Sequence, residues 1–242
     1  MNFIDLHCDT AGRMYYEKLA LKESICKVDI EKLKKGNCLA QVFAIFVDQK
    51  LNCSSFDEFM KIYNNFIKEV EKNSSDIQIV RNVEEMNKAH KDGKISAFIS
   101  IEEGEVLEGK VENLKKVYDL GVRLLTVTWN YKNKLGYPNF QFKYQNKGLK
   151  EEGVEVIKEC EKLGVIPDAS HLSDGGFYDL IKICRKPFIA SHSNARAVTN
   201  HPRNLTDDMI RMLADKGGVM GLNFFSDFLG KNKIASIEEI VC

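Results

Sequence analysis

The sequence predicts an α/β fold of the (β/α)8-barrel kind, and three observations predict it. Seven short apolar runs alternate with charged segments of helical periodicity. Residue types that bind metals stand at the C-terminal ends of several of those runs, where barrel active sites are built. No G-x-G-x-x-G or G-x-x-x-x-G-K loop follows any of them, which weighs against the doubly wound sheet that shares the alternation. At 242 residues the chain has the length of one barrel, and 1–242 is read as a single domain.

The strand candidates are 3–6, 40–47, 95–101, 124–128, 165–168, 188–191 and 219–223. Runs such as AQVFAIFV and ISAFISI are apolar throughout rather than alternating, as strands covered on both faces require. Between them, 56–72, 83–91, 111–118, 150–163 and 205–216 repeat apolar residues at roughly 3.6-residue spacing. Gly164 and Gly217 stand just past two of these helices and immediately before a strand, the usual stop signal. The strand count stops at seven, so the domain is expected to lack its eighth strand at the C-terminal end. The open edge this leaves would favour association, as a homo-oligomer or as an irregular aggregate, or poor solubility.

Lys plus Arg and Asp plus Glu are each 35, so the net charge is zero and nothing attracts a nucleic acid. The start, MNFIDLHCD, is not a secretory signal, and no run of about twenty apolar residues offers a membrane span. Seven cysteines stand singly, without a CxxC pair, a pattern that suits reduced thiols and a cytoplasmic location.

Three of the five histidines follow apolar runs. In FIDLHCD, His7 and Asp9 project to one side of an extended segment and supply a nitrogen and a carboxylate oxygen suited to zinc. The competing reading makes Asp9 a helix cap. Asp5 would be an acceptor behind a ligand imidazole. AFISIEEGE ends its strand in two carboxylates, of which Glu102 is taken as the bridge between two cations, with Glu103 as the fallback. His171 and His192 each close an Ala-Ser-His triplet on successive strands. These five, His7, Asp9, Glu102, His171 and His192, divide between two metal ions sharing Glu102, which implies hydrolysis. His90 and Glu105 read as surface groups. Arg203 either forks onto a substrate carboxylate or pairs with Asp207 or Asp208. Trp129 and Asn130 end the fourth strand, as a pocket wall or against the sheet rim, and 131–148 reads as a long loop over the site.

IDLHCDT, SIEEGE, LLTVTWN, DASHLS, ASHSNARAVTNHPRNL and VMGLNFF, in this order, resemble the membrane (renal, microsomal) dipeptidase family, peptidase family M19, in its bacterial branch. The resemblance implies two zinc ions per chain, with His7 and Asp9 on one, His171 and His192 on the other, and Glu102 bridging. It implies a dipeptidase tolerant of a C-terminal D-residue, whose nucleophile is a metal-bridged water, with Arg203 holding the substrate carboxylate and Trp129 and Asn130 beside it. Expected partners are dipeptides or small carboxylate-bearing amides.

Two departures stand out. Trp129 occupies the place where the family carries a substrate-orienting histidine, and the Gly-Asp-Phe-Asp-Gly motif of the eighth strand is missing. They keep two alternatives open, a barrel that binds metal or peptide without turnover and a metal-dependent amidohydrolase of another substrate.

Overall fold

A computed structural model describes residues 2–51, 53–230 and 235–241. The chain falls into two compact units, Met1–Leu125 and Thr126–Cys242. The first holds β1 (Phe3–Cys8), α1 (Thr10–Glu17), α2 (Ile30–Lys35), β2 (Cys38–Phe46), α3 (Ser55–Lys72), β3 (Ile77–Ile79), α4 (Val83–Lys91), β4 (Ile95–Glu102), a 3-10 turn at Gly104–Leu107, α5 (Val111–Asp119) and most of β5 (Val122–Thr126). The second holds a 3-10 turn at Phe140–Phe142, α6 (Glu151–Leu163), β6 (Ile166–Asp168), α7 (Asp174–Ile183), β7 (Ile189–Ser193), α8 (Asp207–Asp215), β8 (Val219–Leu222), α9 (Ser226–Leu229) and α10 (Ile237–Val241).

The strand order is β1-β2-β4-β5-β6-β7-β8, with β3 paired to β4 off this path. The seven strands on the path are the seven read from the sequence. No eighth barrel strand is present among the described residues, so the fold is an incomplete (β/α)8 barrel. β3 was not expected. Three residues are too few for a period to register, and only its parallel pairing with Ile95–Ala97 makes it a strand.

In the first unit, β2 is buried along almost its whole length. α3 lays its apolar stripe in the core, with Phe59, Ile62 and Phe66 fully buried and the Phe43 and Phe66 rings 4.8 Å apart. Burial of each such side chain stabilises by about 1.5–3 kcal/mol. Ser54 caps the helix by accepting from the Asp57 amide.

In the second unit, Gly164 ends α6 in the left-handed conformation, φ 83°, as its place in the sequence predicts. α8 starts at Asp207, capped by Thr206, two residues later than its periodicity suggests, because Leu205 bridges to Ala195 instead. α7 was not among the helices read from the sequence, and two glycines stand in its first turn. Gly175 is required by packing: a Cβ there would stand 2.8 Å from the Lys147 carbonyl. β8 ends the strand path with Val219 and Leu222 exposed, the open edge anticipated above. The six described cysteines are free thiols, and Cys242 lies outside the described residues. No helix among the described residues is long and apolar enough to cross a membrane.

Candidate metal centre

The end of β1 is irregular: Asp5 pairs with Gln41 and Cys8 with Phe43, so three steps on β1 face two on β2. Such a bulge re-aims side chains, and His7 lies within it. Its Nε2 is 3.3 Å from Asp9 Oδ1 and 3.4 Å from Glu102 Oε2. Asp9 stands at the N-cap of α1 but makes no side-chain cap hydrogen bond, so its carboxylate serves His7 and not the helix. Asp5 departs from expectation. It accepts from the His7 main-chain amide, 3.2 Å, and so fixes the backbone where a contact to the imidazole had been expected.

Glu102 is the last residue of β4 and is buried. Its neighbour Glu103 is held at φ 86° and accepts from the Glu105 amide, 3.0 Å, capping the 3-10 turn. Of the adjacent pair, Glu102 is therefore the carboxylate facing His7. Burial disfavours charge on His7, but the Glu102 and Asp9 carboxylates outweigh it and hold its pKa well above the ordinary value. This pocket favours a cation.

The second unit presents two imidazoles. His171 and His192 have their Nε2 atoms 3.0 Å apart. His171 Nδ1 faces Asn130 Oδ1 at 3.1 Å, and His192 Nδ1 faces Ser191 Oγ at 2.7 Å. Behind Ser191 lies the buried Asp168 carboxylate, which accepts from Ser170 N, Ser191 N, Thr126 Oγ1 and Ser191 Oγ at 2.5–2.9 Å. His171 has φ 68°, unusual for a non-glycine residue and found where surrounding structure over-determines the backbone. The Asn139 amide, donating to the His171 carbonyl at 2.8 Å, is part of that support.

Both Nδ1 atoms are engaged, and the two Nε2 atoms face each other. Their 3.0 Å separation also suits a shared cation, since two nitrogens at about 2.0–2.1 Å from one metal ion are themselves roughly 3 Å apart.

The sequence profile of the membrane dipeptidase family, peptidase family M19, matches residues 1–242. The chain belongs to that family. Two curated relatives, both uncharacterized dipeptidases of Schizosaccharomyces pombe, are each 28% identical, over 84% and 89% of this chain. They are matched over 52% and 56% of their own lengths, so the chain spans about half the length of the curated relatives it matches. Among solved structures, a metallopeptidase of Rhodobacter sphaeroides liganded with a phosphinate mimic of the dipeptide L-Ala-D-Ala is 25% identical. It aligns with a TM-score of 0.87, covering 98% of this chain and 77% of that one. The dipeptidase AC, an M19 metallopeptidase, is also 25% identical, with a TM-score of 0.91 over 100% of this chain and 79% of that one.

The other residues singled out in this family member are placed as follows. Arg203 is buried, donates Nη2 to the His192 carbonyl at 3.1 Å and lies over the Phe228 ring, while Asp208 pairs with Arg211. Trp129 is partly exposed, with its ring 6.2 Å from that of His171. Asn130 directs its side-chain oxygen at His171, so this part of its polarity orients a ring. The 131–148 segment is irregular, as expected, but anchored: Asn139 and Gln145 both donate to Asp174, which also takes both ends of the Arg196 guanidinium. Sequence reasoning did not find Asp168, Ser170, Ser191, Asp174 or Arg196. The repeated Ala-Ser-His triplet was the available signal for the two serines.

Proposed function

We propose that the protein is a divalent-metal-dependent dipeptidase in which His7, Asp9, Glu102, His171 and His192 hold two zinc ions, with Glu102 shared. The observation that carries this reading is the facing pair of imidazole Nε2 atoms, 3.0 Å apart, each with its Nδ1 already engaged. The donor set of imidazoles and carboxylates suits zinc. When bound, such ions supply Lewis acidity and a nucleophilic water at neutral pH.

The chain's own groups do the rest. Glu102 contributes a buried carboxylate with two oxygens, the group able to serve two cations. Arg203, seated against His192, offers a guanidinium for the carboxylate of a dipeptide. Trp129 borders the site beside His171 and contributes an apolar wall. The relative liganded with an L-Ala-D-Ala mimic supports a dipeptide substrate and tolerance of a C-terminal D-residue.

The test is elemental analysis of protein purified without chelator, paired with hydrolysis assays on L,L- and L,D-dipeptides. We expect about two zinc ions per chain and turnover that a chelator abolishes and zinc restores. Bound metal without turnover would leave a metal-binding protein and defeat the dipeptidase reading, while absence of metal after zinc addition would defeat both.

A further inference from the structure

The geometry points to Asp168 and Ser191 as positioning residues that lock His192 in the tautomer with its proton on Nδ1, so that Nε2, which faces His171 Nε2 at 3.0 Å, carries no proton and can only accept or ligate. This inference rests on the metal-site reading for its purpose but not for its geometry.

It follows from counting protons. Asp168 Oδ1 takes the amides of Ser170 and Ser191, at 2.9 and 2.8 Å. Its Oδ2 takes the hydroxyls of Thr126 and Ser191, at 2.6 and 2.5 Å. A carboxylate with four donors around it has no proton to give. The single hydroxyl proton of Ser191 therefore lies towards Asp168. At its other contact, 2.7 Å from His192 Nδ1, Ser191 Oγ can only accept, which requires the ring proton to be on Nδ1. Ser170 reinforces the arrangement by accepting the His192 main-chain amide at 3.1 Å. Every group is buried, so water does not compete for these protons.

The chain runs from His192 through Ser191 to Asp168, each member donating to the next. A carboxylate usually contacts a ligand imidazole directly. Here one hydroxyl is interposed, and its single proton makes the direction of the relay depend on the charge type of residue 168.

This predicts an inversion. In Asp168→Asn the side-chain oxygen can keep both amides, while its NH2 replaces Oδ2 and donates to Thr126 and Ser191. Ser191 must then turn its own proton onto His192 Nδ1, which moves the ring proton to Nε2 and blocks the donor atom. The experiment is nitrogen NMR of histidine-labelled, metal-free protein at a pH where the ring is neutral, with zinc affinity measured by competition against a chelating dye.

Wild type should show His192 protonated on Nδ1, and Asp168→Asn should show it on Nε2, with zinc affinity reduced about 10–100-fold. Ser191→Ala, which needs no rearrangement of Asp168, should show a mixture of tautomers and reduced affinity, and Ser191→Thr should restore both. The inference is overturned if wild-type His192 carries its proton on Nε2, or if neither Asp168→Asn nor Ser191→Ala changes the tautomer. Inversion of the tautomer in a protein that never binds zinc would instead overturn the metal reading alone.

Discussion

Replacing Asp174 by alanine tests whether the 131–148 segment is held by charge. Its Oδ1 accepts from Arg196 Nη2 at 2.7 Å and Asn139 Nδ2 at 2.8 Å, and its Oδ2 accepts from Arg196 Nη1 at 2.7 Å and Gln145 Nε2 at 2.8 Å. The two charged side chains are only 11% and 12% exposed. Removing one partner of a pair this buried leaves the other charge without compensation, at a cost of about 3–5 kcal/mol. Arg196→Met removes the orphaned cation, so the double variant should recover at least ~2 kcal/mol relative to additivity.

Urea unfolding followed by circular dichroism reads both quantities through the midpoint and slope. Because Asn139 also donates to the His171 carbonyl and to the Pro202 carbonyl, hydrogen exchange in the loop should rise and zinc affinity fall in the single variant. A loss below about 1 kcal/mol for Asp174→Ala, or strictly additive losses in the cycle, would refute the clamp.

Metal removal should lower the melting temperature reversibly, since free metal at a hundred times its dissociation constant stabilises by about 2.7 kcal/mol; calorimetry with and without chelator checks this. Arg203→Ala should raise KM for dipeptides with a free C-terminal carboxylate by roughly 10–100-fold, the value of a charged hydrogen bond, and leave C-terminally amidated dipeptides little changed. Equal effects on both substrates would show that Arg203 only supports His192. Asp29 caps α2 through the Lys32 amide, and Asp29→Ala should cost about 1 kcal/mol in urea unfolding. Burial alone would raise the Asp29 pKa, but the Lys32 ammonium and the Lys32 and Ser24 amides outweigh it and the net shift is downward. Its contribution should thus be complete above the unfolded carboxylate pKa of about 4 and fade as pH falls through the lower folded value. Phe66→Ala should cost about 3–5 kcal/mol, because a fully buried ring in contact distance of Phe43 leaves a cavity.

The barrel strands and their order were legible in the sequence because strands covered on both faces are continuous apolar runs and their crossover helices carry a separate period. Gly164 marked a helix end for an equally local reason. The histidines and Glu102 stood out because polar residues directly after such runs are placed by the strand itself. Tertiary structure alone decided the rest. β3 exists through its partner, and the first turn of α7 carries Gly175, needed by a loop some thirty residues earlier in the chain.

Asp5 took a backbone amide, and Asp9 served His7 and not its helix, choices made by a one-residue bulge that leaves no trace in composition. Asp168, Ser191, Asp174 and Arg196 act through partners distant in sequence. Local patterning records which face of an element is buried, whereas the direction of each proton in a buried network depends on groups brought together only by folding.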